Sequence, residues 1–184
     1  MAFDLRTGML WLAVLLLGFA SGFLLANSGQ IAQAYCVDSA RIQPVFSPGA
    51  DAALVPAIAS AQKSLHIELY QFSFPALREA LVGAAARGVE VKIILDPTVD
   101  SNLDTAQFLK ARGVSVRWSG RNFRLTHSKT ATIDAKRVIV GSINWSGAAM
   151  EKNREAAVII DDASVAAEFE RVFSLDWESA TGAK

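Results

Sequence analysis

At 184 residues, with 52% hydrophobic and 20% charged side chains, the chain can bury one sizeable core and is too short for two ordinary catalytic domains. Lysine plus arginine equals aspartate plus glutamate at 18 each, so no global field points to nucleic acid or to an anionic membrane. The single cysteine, Cys36, excludes an intramolecular disulfide framework, and one Cys with two His cannot by themselves make an ordinary structural zinc site.

Residues 8–26 are uncharged and Leu-rich and follow Arg6. They read as an export signal or a membrane anchor within a leader spanning 1–34. The length suits an anchor, whereas Ala32-Gln33-Ala34 suits signal peptidase. Either outcome places the domain at 35–184 outside the cytoplasm of a bacterial cell, as a periplasmic, secreted or membrane-anchored protein. Bulky Tyr35 argues against Cys36 as a lipoprotein cysteine.

Strand and helix patterns then alternate. Residues 42–46 read as a strand and 51–61 as an Ala-rich helix. Residues 65–72 are β-branched and aromatic; Pro75 opens a helix over 76–86 that Arg87-Gly88 ends. A strand over 89–95, a helix over 103–112 closed by Gly113, a short strand over 114–118 and a polar loop over 119–125 follow. Residues 130–133 and 137–140 form a hairpin turning at Asp134-Ala135-Lys136. After a strand over 156–160, Val165, Phe169, Val172, Phe173 and Trp177 mark an amphipathic closing helix. The expected fold is a single α/β domain, a mixed and mainly parallel sheet sandwiched by helices.

Polar residues interrupt the hairpin region at spacings a core does not require: His127 and Lys129, then Asp134, then Gly141, Ser142 and Asn144. Residues two apart on a strand share a face, so His127 pairs with Lys129, and Ser142 with Asn144 on the neighbouring strand. An imidazole nucleophile, an ammonium, a hydroxyl and an amide converging on one anion suit phosphoryl transfer, with Gly141 letting the backbone come close.

The run His127-x-Lys129-x4-Asp134-x6-Gly141-Ser142-x-Asn144 resembles the signature of the phospholipase D superfamily at every named position. The likeness extends over roughly 44–177, through "AIASAQKSLHIELYQFS", "ALVGAAARGVEVKIILD" and "NREAAVI", and is similar to the small bacterial endonuclease branch with one motif per chain. It implies a mechanism without metal or other cofactor. One motif histidine attacks phosphorus to give a phosphohistidine; a second protonates the leaving oxygen and then activates water. Only His66 and His127 exist, and Glu68 stands where a second motif needs Lys, so the resemblance implies a homodimer sharing two copies of His127 and Lys129. The alternative is His66 as acid within one chain, although its place in Leu65-His66-Ile67 reads as framework. By the same resemblance Glu155 orients the nucleophile through Nδ1, Ser142 and Asn144 bind phosphate, and Asp134 is a motif residue whose hairpin position suits support of the turn.

For the substrate, Arg112, Arg117, Arg121, Arg124, Lys129, Lys136 and Arg137 face a single acid, Asp134, between residues 112 and 137. Such a basic run suits a polyanion, with Arg121 and Arg124 as backbone contacts. Nucleic acid is therefore the expected substrate. A lipid phosphodiesterase held at a bilayer through residues 8–26 is the alternative, and a non-catalytic DNA-binding module on the same fold is the third reading. Trp118, Trp145 and Trp177 are expected in the core or at its rim.

Overall fold

A computed structural model describes residues 35–120 and 123–182; the leader at 1–34 and Arg121 lie outside the described residues. Residues 37–184 form one compact unit. Its strands are β1 (Ile42–Phe46), β2 (Ser64–Leu69), β3 (Glu90–Leu95), β4 (Ser115–Trp118), β5 (Lys129–Ile133), β6 (Arg137–Gly141) and β7 (Ala156–Ile160). Its helices are α1 (Asp51–Ala59), α2 (Pro75–Ala86), α3 (Ser101–Lys110), α4 (Gly147–Glu151) and α5 (Ala163–Ser179). Among the described residues no helix is long and apolar enough to cross a membrane.

The strands form one seven-stranded sheet in the order β1-β7-β6-β5-β2-β3-β4. The mixed sheet between helices is as the sequence implies, but the balance of pairing is not. Parallel pairing is confined to β2–β3 and β3–β4, whereas β1–β7, β7–β6, β6–β5 and β5–β2 are antiparallel. The physical reason lies in the connections. Helices α2 and α3 supply the crossovers that parallel neighbours need, while the three-residue turn after β5 permits only an antiparallel return.

Alternation along the strands assigns two faces. Leu65, Ile67, Leu69, Ala131, Ile133, Ile139, Ala157 and Ile159 pack in one core with α1, α2 and α3. On β2 the opposite face carries His66 and Glu68, turned toward α5. Helix α5 starts at Asp162, whose Oδ1 accepts from the amides of Ser164 and Val165, an N-cap of the ordinary kind. It adds Phe173 and Trp177 to a smaller cluster with Ile94.

Two motif residues prove to be architectural. Gly141 was expected to admit an anion; instead it admits a neighbouring strand, because a Cβ there would lie 2.4 Å from both the Ala156 carbonyl oxygen and the Ala157 Cα. Asp134 sits at the far end of β5 from His127, about 20 Å along the strand by its rise per residue. Its φ of 55° places it in the left-handed region that a tight hairpin demands. Its carboxylate accepts from the amides of Gln62, Lys63 and Ser64 at 2.6–3.1 Å and so caps the start of β2. Asp134, named with the motif, thus stands away from His127 and supports the turn, the role its hairpin position suits.

Burial pushes the Asp134 carboxyl up, but the backbone amides outweigh it and hold it below the ordinary aspartate range. Its stabilising effect is therefore present above that range and is lost as pH falls through the folded value. Asp134→Ala is expected to lower unfolding stability by roughly 1–3 kcal/mol in denaturant melts at pH 7 while leaving turnover per folded molecule intact. Loss of turnover at unchanged stability would return Asp134 to the chemistry.

Candidate active site

The β5–β6 hairpin turn lies at the opposite end of the sheet from the His127 site. There β2 ends at Leu69, β5 begins at Lys129, β6 ends at Gly141 and β7 begins at Ala156. His127 and Lys129 come together as the two-residue spacing requires. The His127 imidazole is exposed and lies 4.7 Å from the Tyr70 ring, tilted by 56°. Lys129 is only 7% exposed. Its Nζ donates to the His127 carbonyl at 2.8 Å and stands 5.1 Å over the Tyr70 ring. Among the described residues it makes no ion pair. Burial lowers the Lys129 ammonium pKa, opposed by the Glu155 charge.

Ser142 and Asn144 reach the same place by another route than expected. They do not share a strand face, because β6 stops at Gly141. The chain then runs to Trp145, whose amide donates to the Gln71 carbonyl at 3.1 Å beyond the end of β2. Since β5 lies between β6 and β2, this segment must cross the end of β5 that carries His127. Ser142 Oγ donates to Glu155 Oε2 at 2.6 Å. Asn144 is half-buried and its Oδ1 has no hydrogen-bond partner among the described residues.

Glu155 is bound within its own chain by Ser142 and, at 3.1 Å, by Asn153 Nδ2. These bonds, more than burial opposes them and with help from the Lys129 charge, hold its carboxyl below the ordinary glutamate range. The expected bond from His127 is not among the described contacts of a single chain.

Some supporting groups escaped the sequence reading. Asp96, at the end of β3 and fully buried, accepts from the Thr126 amide at 2.6 Å. It is itself bonded by the Thr98 amide at 2.8 Å. The Tyr70 amide donates to the Ser128 carbonyl at 2.9 Å. The residues on both sides of His127 are thereby pinned. The available signal was position: Asp96 and Tyr70 follow the carboxyl ends of parallel strands, where α/β sheets gather ligands.

His66 belongs to the other face. Its Nδ1 and Nε2 bond Glu170 at 2.5 Å and Glu90 at 3.0 Å, and its ring stacks on Phe173 at 4.8 Å. Burial pulls the His66 pKa down, but the two carboxylates outweigh it and raise it. It is committed framework, and the reading of His66 as acid is set aside. Beside it a cavity of about 250 Å³ is lined by Glu68, Ser128, Phe169, Phe173 and Asp176, away from the His127 face. The three tryptophans behave as expected, Trp118 and Trp145 buried and Trp177 partly buried.

The basic run does not assemble at the site. Lys136 and Arg137 lie at the hairpin end of the sheet, Arg137 paired with Asp161. Arg112 precedes β4 at that same end and stacks at 3.8 Å on Phe108. Arg117 bonds the Trp177 carbonyl at 2.7 Å. Of the described members, Arg124 and Lys129 remain near His127. Linear charge density failed because strands carry successive charges to opposite ends and faces.

Residues 54–177 match a family model described as "Cardiolipin synthase, PLD-like domain". The chain belongs to the phospholipase D superfamily. Among relatives, a mitochondrial cardiolipin hydrolase from Mus musculus is 33% identical over 126 residues, 68% of this chain and 57% of that protein. A phospholipase D from Rickettsia bellii is 33% identical over 132 residues, 68% of this chain and 64% of that one. The chain thus spans less than two thirds of the length of either relative. The crystal structure of Nuc from Salmonella typhimurium, a phospholipase D family member, superposes with a TM-score of 0.72 at 32% identity, covering 76% of this chain and 95% of Nuc. Within the superfamily the chain falls in the single-motif, Nuc-like branch.

Behind the site, burial and the Asp176 charge raise the Glu68 carboxyl from 4.5 to about 7. The fold thus favours protonated Glu68. Its contribution is full below about pH 4.5 and is lost as pH rises through 7. Glu68→Gln, which keeps the protonated shape, is expected to reduce the fall in melting temperature between pH 5 and pH 8. Identical pH slopes for variant and wild type would contradict this origin.

Proposed function

We propose that the protein is a homodimeric phosphodiesterase that hydrolyses nucleic-acid phosphodiester bonds without sequence specificity, through a phosphohistidine. The observation that carries the reading is Lys129. A lysine only 7% exposed as a residue, beside an exposed imidazole and in no ion pair among the described residues, with only the more distant Glu155 charge acting on it, is costly unless an anion completes it. A phosphodiester supplies that charge. The likeness to Nuc supports a site of this kind on this scaffold.

In this mechanism His127 Nε2 attacks phosphorus, forming the P–N bond as the P–O bond to the leaving alcohol breaks. A second imidazolium gives its proton to that oxygen, then takes one from water as water displaces His127. Lys129 offsets charge on the non-bridging oxygens, and the Asn144 amide and Ser142 hydroxyl lie within the same crossing segment. Because His66 is bound to Glu170 and Glu90, the second imidazole is the partner's His127. Glu155 does not bond its own His127, so in the dimer the natural recipient of its carboxylate is the partner's His127, whose tautomer it fixes. These steps need no metal. Attachment through residues 8–26 and a location outside the cytoplasm complete the proposal.

A lipid substrate is the second reading. The relatives named as cardiolipin hydrolases favour it, as do Phe123 and Leu125, 55% and 38% exposed just before His127.

The test is a panel of single- and double-stranded DNA, RNA and cardiolipin vesicles, given to the full chain in non-ionic detergent with EDTA present. Cleavage of DNA is expected to persist in EDTA, to disappear in His127→Ala and to fall at least tenfold in Glu155→Ala. Cleavage of cardiolipin alone would overturn the substrate, and strict dependence on a divalent ion would overturn the mechanism. Co-refolding wild type with excess His127→Ala should reduce activity per wild-type chain. Unchanged specific activity would contradict the shared site.

A further inference from the structure

The basic residues bordering the site include two outside the run the sequence singled out. Lys152 and Arg154 flank Asn153 in the short segment between α4 and β7, directly before Glu155. The backbone of this segment is held at several points. The amides of Lys152 and Asn153 both donate to the Ala148 carbonyl, at 3.0 and 2.8 Å. Buried Ser47 donates its hydroxyl to the Asn153 carbonyl at 2.8 Å and receives the Glu155 amide at 3.0 Å. Upon this fixed base the Lys152 and Arg154 side chains are exposed and, among the described residues, form no ion pair.

Exposed lysines and arginines are usually solvated charges with no assigned task. Three features set this pair apart. It stands at the His127 end of the sheet, its backbone is already ordered, and the acids flanking it in sequence are weak competitors. Glu155 is occupied by Ser142 and Asn153, which leaves exposed Glu151. Exposed Arg124, two residues before Thr126, contributes from the His127 side of the same end. A polyanion whose scissile phosphate sits between Lys129 and His127 extends past both borders.

We propose that Lys152 and Arg154 seat the nucleic-acid backbone beside the scissile phosphate, opposite Arg124. The inference rests on the nuclease reading and identifies where the polymer outside the reacting bond is held. Both contacts are to phosphates, so they add affinity and salt dependence without reading bases.

The experiment is a salt titration of binding to a duplex oligonucleotide, read by fluorescence anisotropy on the full chain in non-ionic detergent. All proteins carry His127→Ala so that the duplex stays intact. The Lys152→Ala/Arg154→Ala variant is compared with Lys63→Ala/Lys136→Ala, which removes equal charge at the opposite end of the sheet. Losing two phosphate contacts lowers the slope of log affinity against log salt by about 1.8 for each protomer engaged. Between 50 and 200 mM salt the affinity gap to the parent then narrows about twelvefold. The charge-matched control should keep the parent's slope, and Lys152→Arg/Arg154→Lys should restore it. Equal slopes in the two alanine variants overturn the seat while leaving the nuclease reading intact. If the parent ignores the duplex but binds vesicles of phosphatidylcholine with cardiolipin, the nuclease reading falls and the seat with it.

Discussion

The Lys129 side chain is packed into the sheet end so that the residue is only 7% exposed, and the organisation of the site follows from that packing. A buried cation must be compensated. Within the chain Lys129 has the His127 carbonyl and the face of Tyr70 and feels the Glu155 charge without forming an ion pair, and burial outweighs that charge and lowers its pKa. The remaining deficit is directed at the open side, where His127 stands exposed. An arrangement that is unfavourable in the empty protein becomes favourable once an anion reaches it, which is how electrostatic preorganisation works.

Holding that arrangement requires rigid surroundings, and the sheet provides them on several sides. Asp96 fixes Thr126, and the Tyr70 amide fixes Ser128. Gly141 lets β7 close on β6, so that Glu155 lands beside Ser142. Ser47, after β1, anchors the segment that leads into Glu155. The far face of the same sheet has a different task. His66, Glu68, Glu170 and Asp176 tie α5 to the strands through partly buried polar contacts, and the apolar side chains of α5 cover what remains. Division between the faces leaves His127 exposed and His66 bound in the framework.

Much of the fold was legible because strong periodicity and turn chemistry are local. The hairpin at Asp134-Ala135 was readable from its residues, and α5 from its apolar spacing. The proportion of parallel pairing was not, since it depends on which strands become neighbours, and β5 inserts between β2 and β6 in a way no local pattern announces. The short helix α4 is only five residues long, too brief for a periodic signal. At the site, the two-residue spacing of His127 and Lys129 was informative because His127 stands just before β5, which begins at Lys129, and the Lys129 ammonium bonds the His127 carbonyl. The same logic failed for Ser142 and Asn144, where the strand had already ended. It failed again for the basic run, whose members the strands deliver to different ends of the sheet.

Residue identity and spacing by themselves determined the family, the pairing of His127 with Lys129 as the candidate centre, and the count of two histidines on which the proposed dimer rests. These follow from chemistry carried by single side chains and from the period of a strand. Tertiary structure alone decided that His66 is unavailable, that Asp134 is a cap, that Gly141 serves packing, and that Lys152 and Arg154 rather than Lys136 and Arg137 border the site. Each of those depends on which groups distant in sequence are brought within a few ångströms, and hydrogen bonds and charges act only across that distance.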